Sequence, residues 1–289
     1  MIPSAFDYYA PTTLKEALRL LKKHGEEAKV LAGGHSLLPI MKARLAQPKV
    51  LIDIGCIPNL SYIKMVGGAC TIGAATTHFQ VETSRTVRQN CPLLSQVAGQ
   101  IGDVQVRNKG TIGGSLAHGD PAADLPAAVL ALGATLVAAG QRREREIPAD
   151  EFFLDALTTA LAPDEILKEI RVPKTSKGSG GAYEKVAQRA SGFAIVGVAA
   201  QVTLGKGGVC KAVRVGVTGL ASHAFRAKGV EEVLLVKTLD DEVIEVASEK
   251  ASNGVSPLED LFASGEFRAH LARVYTRRAL QAARKAAGG

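Results

Sequence analysis

An α+β fold is the class the sequence predicts, on three observations. The opening segment alternates a helix-like and a strand-like stretch twice, ending near Asp53. A Lys-, Ser- and Gly-rich stretch, Lys174 to Gly181, interrupts the pattern late in the chain. Beyond it, three long strand-like runs precede a helical end. Together they predict two α/β segments followed by an antiparallel sheet with helices, divided at 1–54, 55–176 and 177–289.

Each element has its own signal. Thr13 with Glu16 makes a capping box, Leu14, Leu18 and Leu21 share one helical face, and Gly25 closes that helix. AKVL (28–31) predicts a strand. Ser36 is placed to cap a helix through Met41, with Pro39 in the first turn, where a missing N–H does no harm. KVLID (49–53) predicts the next strand. The second segment starts near Pro58. In it CTIGA (70–74), TLVAA (135–139) and EILKEIRVP (165–173) predict strands. Leu93, Leu94, Val97 and Ile101 mark an amphipathic helix, and Leu125 to Leu132 an apolar one. In the third segment YEKVAQR, FAIVGVAAQVTL and VCKAVRVGVTG are strands, with Gly205-Lys206-Gly207-Gly208 as a hairpin turn. Two or three helices follow, and no repeat of 20–50 residues is visible.

Composition narrows the function. With 46% hydrophobic residues in 289, the chain is a folded protein with a large core. It has no apolar run long enough for a transmembrane helix and no basic-then-apolar start, so a cytoplasmic location is expected. Much of the +7 net charge falls in the last helix, on Arg268, Arg273, Arg277, Arg278, Arg284 and Lys285. A solvated helix end is expected there rather than an anionic partner. With no Trp and 4% aromatics, stacking platforms for nucleic acid are not expected. Cys56, Cys70, Cys91 and Cys210 form no C-x-x-C pair and are expected as buried small hydrophobes, with no metal. No Ser/His/Asp or Cys/His array presents itself, so no catalytic residue is expected.

Two glycine pairs stand out, Gly33-Gly34 in AGGHS and Gly113-Gly114 in TIGGS. Glycines at a strand-to-helix turn let backbone N–H groups converge on an anion. Two such nests suit a pyrophosphate; two plain tight turns are the other reading. The spacing is neither G-x-G-x-x-G nor a P-loop. Asn108-Lys109-Gly110 precede the second pair, and His118, Asp120 and Asp124 follow it. Asp124 suits either a ligand hydroxyl or a helix N-cap, and His118 either a ligand or a satisfied loop position.

These residues carry a resemblance. AGGHSLLPIMKARLA (32–46) and VRNKGTIGGSLAHGDPAADLP (106–126) resemble the flavin-binding medium subunit of the molybdenum hydroxylases. That family includes aerobic carbon monoxide dehydrogenase, quinoline oxidoreductase and bacterial xanthine dehydrogenase. The likeness covers nearly the whole chain, including FDYYAPTTLKEAL, IGAATTH (72–78) and YEKVAQRASGFAIVGVA (183–199). It implies an FAD-binding fold of the vanillyl-alcohol-oxidase type, with two α/β subdomains and a C-terminal domain. On the resemblance, Ala32, Gly33, Gly34, His35, Ser36 and Leu37 hold the pyrophosphate through backbone N–H groups. Thr111, Gly113, Gly114 and Ser115 take the other side of the diphosphate and the ribityl chain, although many relatives have Asn in place of Ser115. Asp124 contacts the cofactor, Ile101 lies near the adenine, Leu167 and Lys185 lie beside the isoalloxazine, and Phe193 lies over it. Lys185 is then a cation for reduced flavin; a solvated strand lysine is the other reading.

The resemblance also implies an oxidoreductase complex. A molybdopterin-containing large subunit oxidises substrate, and a small subunit relays electrons through two [2Fe–2S] clusters. FAD in this subunit passes them to quinone, NAD or oxygen, in a heterotrimer that dimerises. The extra [4Fe–4S] insertion of some relatives is absent from this sequence. A stand-alone flavin oxidoreductase of the same fold is the alternative, although the third segment shows no acid–base cluster.

Overall fold

The structure of the chain, a computed structural model, describes residues 2–288. Its first sheet is parallel. Strands β1 (Asp7–Tyr9), β2 (Ala28–Leu31) and β3 (Val50–Asp53) lie in the order β1-β3-β2, connected through helices α1 (Leu14–His24) and α2 (Leu37–Lys42). Thr13 caps α1 by accepting from the Glu16 N–H, and Glu16 reaches back to the N–H of Thr12 rather than Thr13. Leu18 and Leu21 pack with Ile52, and Ala139 and Ile166 from the next sheet join them. Leu31, Leu51 and Met41 of α2 form a smaller cluster. Ser36 does stand at the N-cap of α2, but its hydroxyl makes no capping bond; its backbone is already helical, at φ −107° and ψ −50°.

The second sheet is antiparallel. Strands β4 (Ile63–Val66), β5 (Ala69–Gly73), β6 (Thr135–Ala139) and β7 (Glu144–Pro148) precede a small hairpin of β8 (Phe153–Asp155) and β9 (Thr158–Thr159). Strand β10 (Ile166–Pro173) then enters the middle, giving the order β4-β5-β10-β6-β7. Six helices separate β5 from β6: α3 (His78–Thr83), α4 (Arg85–Asn90), α5 (Pro92–Gly99), α6 (Val104–Lys109), α7 (Ile112–His118) and α8 (Asp124–Ala131). Ile101, expected on one helix with Leu93, Leu94 and Val97, lies beyond α5, where Gly102 turns the chain at φ +45°.

The third sheet is an antiparallel meander of β11 (Ser179–Ala187), β12 (Ala194–Leu204), β13 (Cys210–Thr218) and β14 (Phe225–Arg226). Helices α9 (Lys228–Leu234), α10 (Asp241–Ser248) and α11 (Gly265–Ala286) follow. Both faces of β12 are buried. Ala199 packs in the core that holds α8, and Val198 and Ala200 pack in the core that holds α11. The expected linker through Gly181 is shorter than its composition suggests. Gly180 and Gly181 belong to β11, and a Cβ on Gly180 would lie 2.2 Å from the backbone N of Ala287. Glycine there lets the end of α11 lie on the sheet.

Two further expectations are corrected. The cations of α11 stay at the surface except Arg268, and most of them are paired there with acids that α10 lines up beside them. Arg273, Arg277 and Arg284 pair with Glu249, Glu245 and Asp241. Arg268 is buried, pairing with Asp260 and donating to the carbonyl of Gly219. Cys70, Cys91 and Cys210 are buried as expected, but Cys56 is exposed in the turn after β3. No helix among the described residues is long and apolar enough to cross a membrane.

Candidate functional site

A cleft of about 550 Å³ opens beyond the carboxyl end of β2, between the first sheet and the loops and helices around α7. Its size suits a small-molecule or cofactor site. Ala32, Gly33, Gly34, His35, Ser36, Leu37, Ile101, Thr111, Gly113, Gly114, Ser115, Asp124, Leu167 and Phe193 all line it. Of the sequence-predicted residues, Lys185 alone does not.

The structure separates the two glycine pairs. From Gly33 to Leu37, no backbone N–H finds an acceptor among the described residues; the Leu38 N–H is the first to bond, to Gly34 O at 3.0 Å. Gly34 sits at φ +76°, the left-handed turn that lets successive N–H groups point together. Because α2 is short, the free amides rather than a helix dipole make this loop suit an anion.

The second pair lies inside the first turn of α7, not before a helix. Its amides are spent. The N–H groups of Ile112 and Gly113 bond the carbonyls of Thr76 and Ala74 at 2.9 Å. That of Gly114 bonds Thr111 Oγ1 at 3.1 Å, and that of Ser115 bonds Thr111 O at 3.0 Å. This stretch therefore offers the hydroxyls of Thr111 and Ser115 and a floor of small residues, not a second amide nest. The two loops also lock together: a Cβ on Gly33 would lie 2.1 Å from Lys109 O.

Asp124 is the first residue of α8, with Ala123 as N-cap, and is buried. Tyr183 donates to its Oδ1, and Lys185 Nζ lies 3.0 and 3.1 Å from its two oxygens. Burial pushes the Asp124 carboxyl up, and its bonds to Lys185 and Tyr183 hold it back. Lys185 also donates to Gln100 O and Gly192 O, both at 2.8 Å. The expectation of a free or solvated cation is thus corrected: its ammonium is buried and faces protein acceptors.

Gly192 packs on Gly102, where a Cβ would meet its Cα at 3.2 Å. The adjoining Ile101 and Phe193 both line the cleft.

The cleft also holds residues to which the sequence assigned no definite role. His78, first residue of α3, is only 4% exposed; burial pushes it down to about 4, and its Nδ1 has no partner. Only its position in the T-T-H stretch hinted at it. His118, predicted on a loop, ends α7 and lines the cleft with Asp120; burial lowers it. Leu157 reaches the rim from the β8–β9 turn at φ +54°, a conformation no motif announced. Among the described residues no cluster of three or more His, Cys, Asp or Glu is arranged to hold a metal ion.

Two known families match the chain. Residues 4–175 match the family described as the FAD binding domain in molybdopterin dehydrogenase. Residues 181–283 match the CO dehydrogenase flavoprotein C-terminal domain. The chain is 42% identical over 283 residues to the carbon monoxide dehydrogenase medium chain of Hydrogenophaga pseudoflava, covering 98% of each. It is 39% identical over 280 residues to subunit alpha of the 6-hydroxypseudooxynicotine dehydrogenase complex of Paenarthrobacter nicotinovorans, covering 97% of this chain and 95% of that one. A solved chain of carbon monoxide dehydrogenase from Hydrogenophaga pseudoflava, in a form lacking the Mo-pyranopterin moiety, superposes with a TM-score of 0.95 at 43% identity, covering 98% of each chain.

Proposed function

Since this chain belongs to the family of FAD-binding medium subunits of the molybdenum hydroxylases, and is thus an oxidoreductase subunit, we propose that the cleft beyond β2 is its FAD site. The carrying observation is the run of unbonded amides from Gly33 to Leu37. A diphosphate, with several anionic oxygens, satisfies such a run. The residues fit the rest of the cofactor. Thr111 and Ser115 face it with hydroxyls, and Asp124 keeps acceptor capacity for a ribityl hydroxyl. Leu167 and Phe193 supply apolar surface for the isoalloxazine, and Ile101 for the adenine. No cation of this chain is assigned to the reduced ring.

Bound FAD supplies acceptance of electrons singly from the [2Fe–2S] clusters of a small subunit and their delivery to an external acceptor such as quinone, NAD or oxygen. The chain binds, orients and shields; no side chain is assigned a proton-transfer role. A molybdopterin-containing large subunit completes the complex and selects its substrate. Within the chain, 1–54 and 55–176 hold the cofactor between them, and 177–289 bears the Phe193 hairpin.

The test is an absorbance titration of the purified chain with FAD and, separately, with riboflavin. FAD is expected to bind with shifted visible maxima, and riboflavin at least about 100-fold more weakly, because the amides recognise phosphate. Equal affinity for the two would remove the diphosphate from the Gly33–Leu37 loop. No binding at about 100 μM FAD would remove the site.

A further inference from the structure

We propose that Lys185 is a positioning residue rather than a cofactor ligand: it ties three segments into the wall of the cleft that carries Ile101, Asp124 and Phe193. An ammonium has three protons. At Lys185 they face three acceptors, the carbonyls of Gln100 and Gly192 and the carboxylate of Asp124. The side chain is 7% exposed. No proton is left for a ligand, and the nitrogen lies behind the wall, not in it.

The three acceptors come from separate places. Gln100 ends α5 and precedes Ile101. Gly192 is at the tip of the β11–β12 hairpin and precedes Phe193. Asp124 begins α8. Two of the three are carbonyls next to an apolar residue of the cleft. Apart from Lys185, the hairpin is held outward by the Ala194 N–H on the Ala122 carbonyl, and within its tip Ser191 Oγ bonds Gln188 Oε1 and accepts from the Phe193 N–H. Inside it, Gln188 bonds Phe193 O and Gly192 bonds Gln188 O. Outward it packs on Gly102, across the gap that Lys185 closes. Lys185 springs from β11 itself, opposite Gly197 in the ladder, so its base is fixed by the sheet while its tip gathers the loops.

The geometry gives Asp124 a second partner of the same kind. Tyr183, two residues along the same face of β11, donates to the same carboxylate. The strand thus grips the start of α8 twice; Gln100 Nε2 also bonds the Tyr183 carbonyl at 3.3 Å, so the hairpin at Gly192 is the loop that Lys185 alone ties to this strand position.

This inference rests on the FAD reading only for its second test. The first uses the cofactor-free full chain and hydrogen exchange, comparing Lys185→Met with Lys185→Met/Asp124→Asn, which removes the buried charge that the single variant leaves unpaired. The amides of Gln188 and Gly192 are expected to exchange at least about 10-fold faster in both variants, with those of Val196 to Val202 in β12 unchanged. Unchanged exchange at the hairpin overturns the proposal, whatever happens to FAD affinity. Uniform loosening that includes β12 in the double variant also overturns it, because a tether acts on its own segments.

The second test reads the visible circular dichroism of the flavin-loaded chain. Lys185→Met and Phe193→Ala are expected to change it alike, and the two together no more than either alone. Additive changes would mean that Lys185 acts on the flavin directly. Should the loaded chain fail to form even for the wild type, the FAD reading fails and the exchange result still stands.

Discussion

Gly33 and Gly114 look equivalent in the sequence and have different tasks in the fold. A Cβ on Gly33 would meet the carbonyl oxygen of Lys109 at 2.1 Å, and the α-carbon of Gly110 at 2.8 Å. Backbone cannot rotate away as a side chain can. Gly33→Asp is therefore expected to cost at least about 3 kcal/mol of stability, read from the urea midpoint of the cofactor-free chain. At Gly114 a Cβ meets Thr111 Oγ1 at 2.7 Å and otherwise only Ala32 Cβ, at 3.8 Å. Losing the Thr111 cap costs about 1 kcal/mol, and replacing a helical glycine returns a similar amount. Gly114→Asp should thus keep its midpoint within about 1 kcal/mol while binding FAD at least about 100-fold more weakly, since a carboxylate then faces the diphosphate. A folded Gly114→Asp chain with wild-type affinity would place the phosphates elsewhere. The sequence shows both motifs but not this difference, because Lys109 and Ala74, which fill the space beside Gly33 and Gly113, arrive from distant parts of the chain. The partners of Lys185 are hidden for the same reason. Nothing in YEKVA tells that its ammonium will meet Gln100 and Gly192.

At the scale of elements, local pattern located strands well and helix ends less well. AKVL and TLVAA fall on β2 and β6 because each is bounded by turn residues and has one face or more to bury. Apolar spacing carries the helix at Leu93 on to Ile101 because it is blind to a left-handed glycine three residues past the helix end. Charge was the least local property of all. The basic residues of α11 read as a solvated face, yet the acids of α10 and the loop before α11 supply their partners. The pairs are not equal in energy. Arg268 is 3% exposed and holds Asp260 together with the carbonyls of Ile195 and Gly219. Arg268→Leu leaves two buried carbonyls unpaired and is expected to cost about 3 kcal/mol. Arg273, paired with Glu249 at the surface, should cost no more than about 0.5 kcal/mol on mutation to alanine. Urea unfolding of the two variants side by side checks the ranking, and equal losses would show that α11 is held by its apolar face alone.

For the whole molecule, the cleft lies where the small first sheet meets the rest of the chain. That sheet has only three strands: α1 and its strands share a core with Ala139 and Ile166, and α2 covers a separate small cluster. The third sheet is held differently, with both faces of β12 buried and α11 running along it. A ligand spanning the cleft adds contacts to the first region and none to β13, β14 and α10, which lie outside it. The stabilisation by a ligand at 100 times its dissociation constant is about 2.7 kcal/mol. If that free energy is drawn from contacts at the cleft, it should appear unevenly. Amides of β2, β3 and α7 are expected to gain up to about 100-fold in hydrogen-exchange protection when FAD saturates the chain, where they exchange by local opening. Amides of β13 and α10 that exchange by local opening should gain almost none. Equal protection everywhere would mean that the chain opens only as one cooperative unit. Protection confined to the third sheet would contradict the site itself. The uneven outcome is the one the topology demands, because FAD would bridge the Gly33–Leu37 loop of the first sheet to Thr111, Asp124 and Phe193, each carried by a different part of the chain.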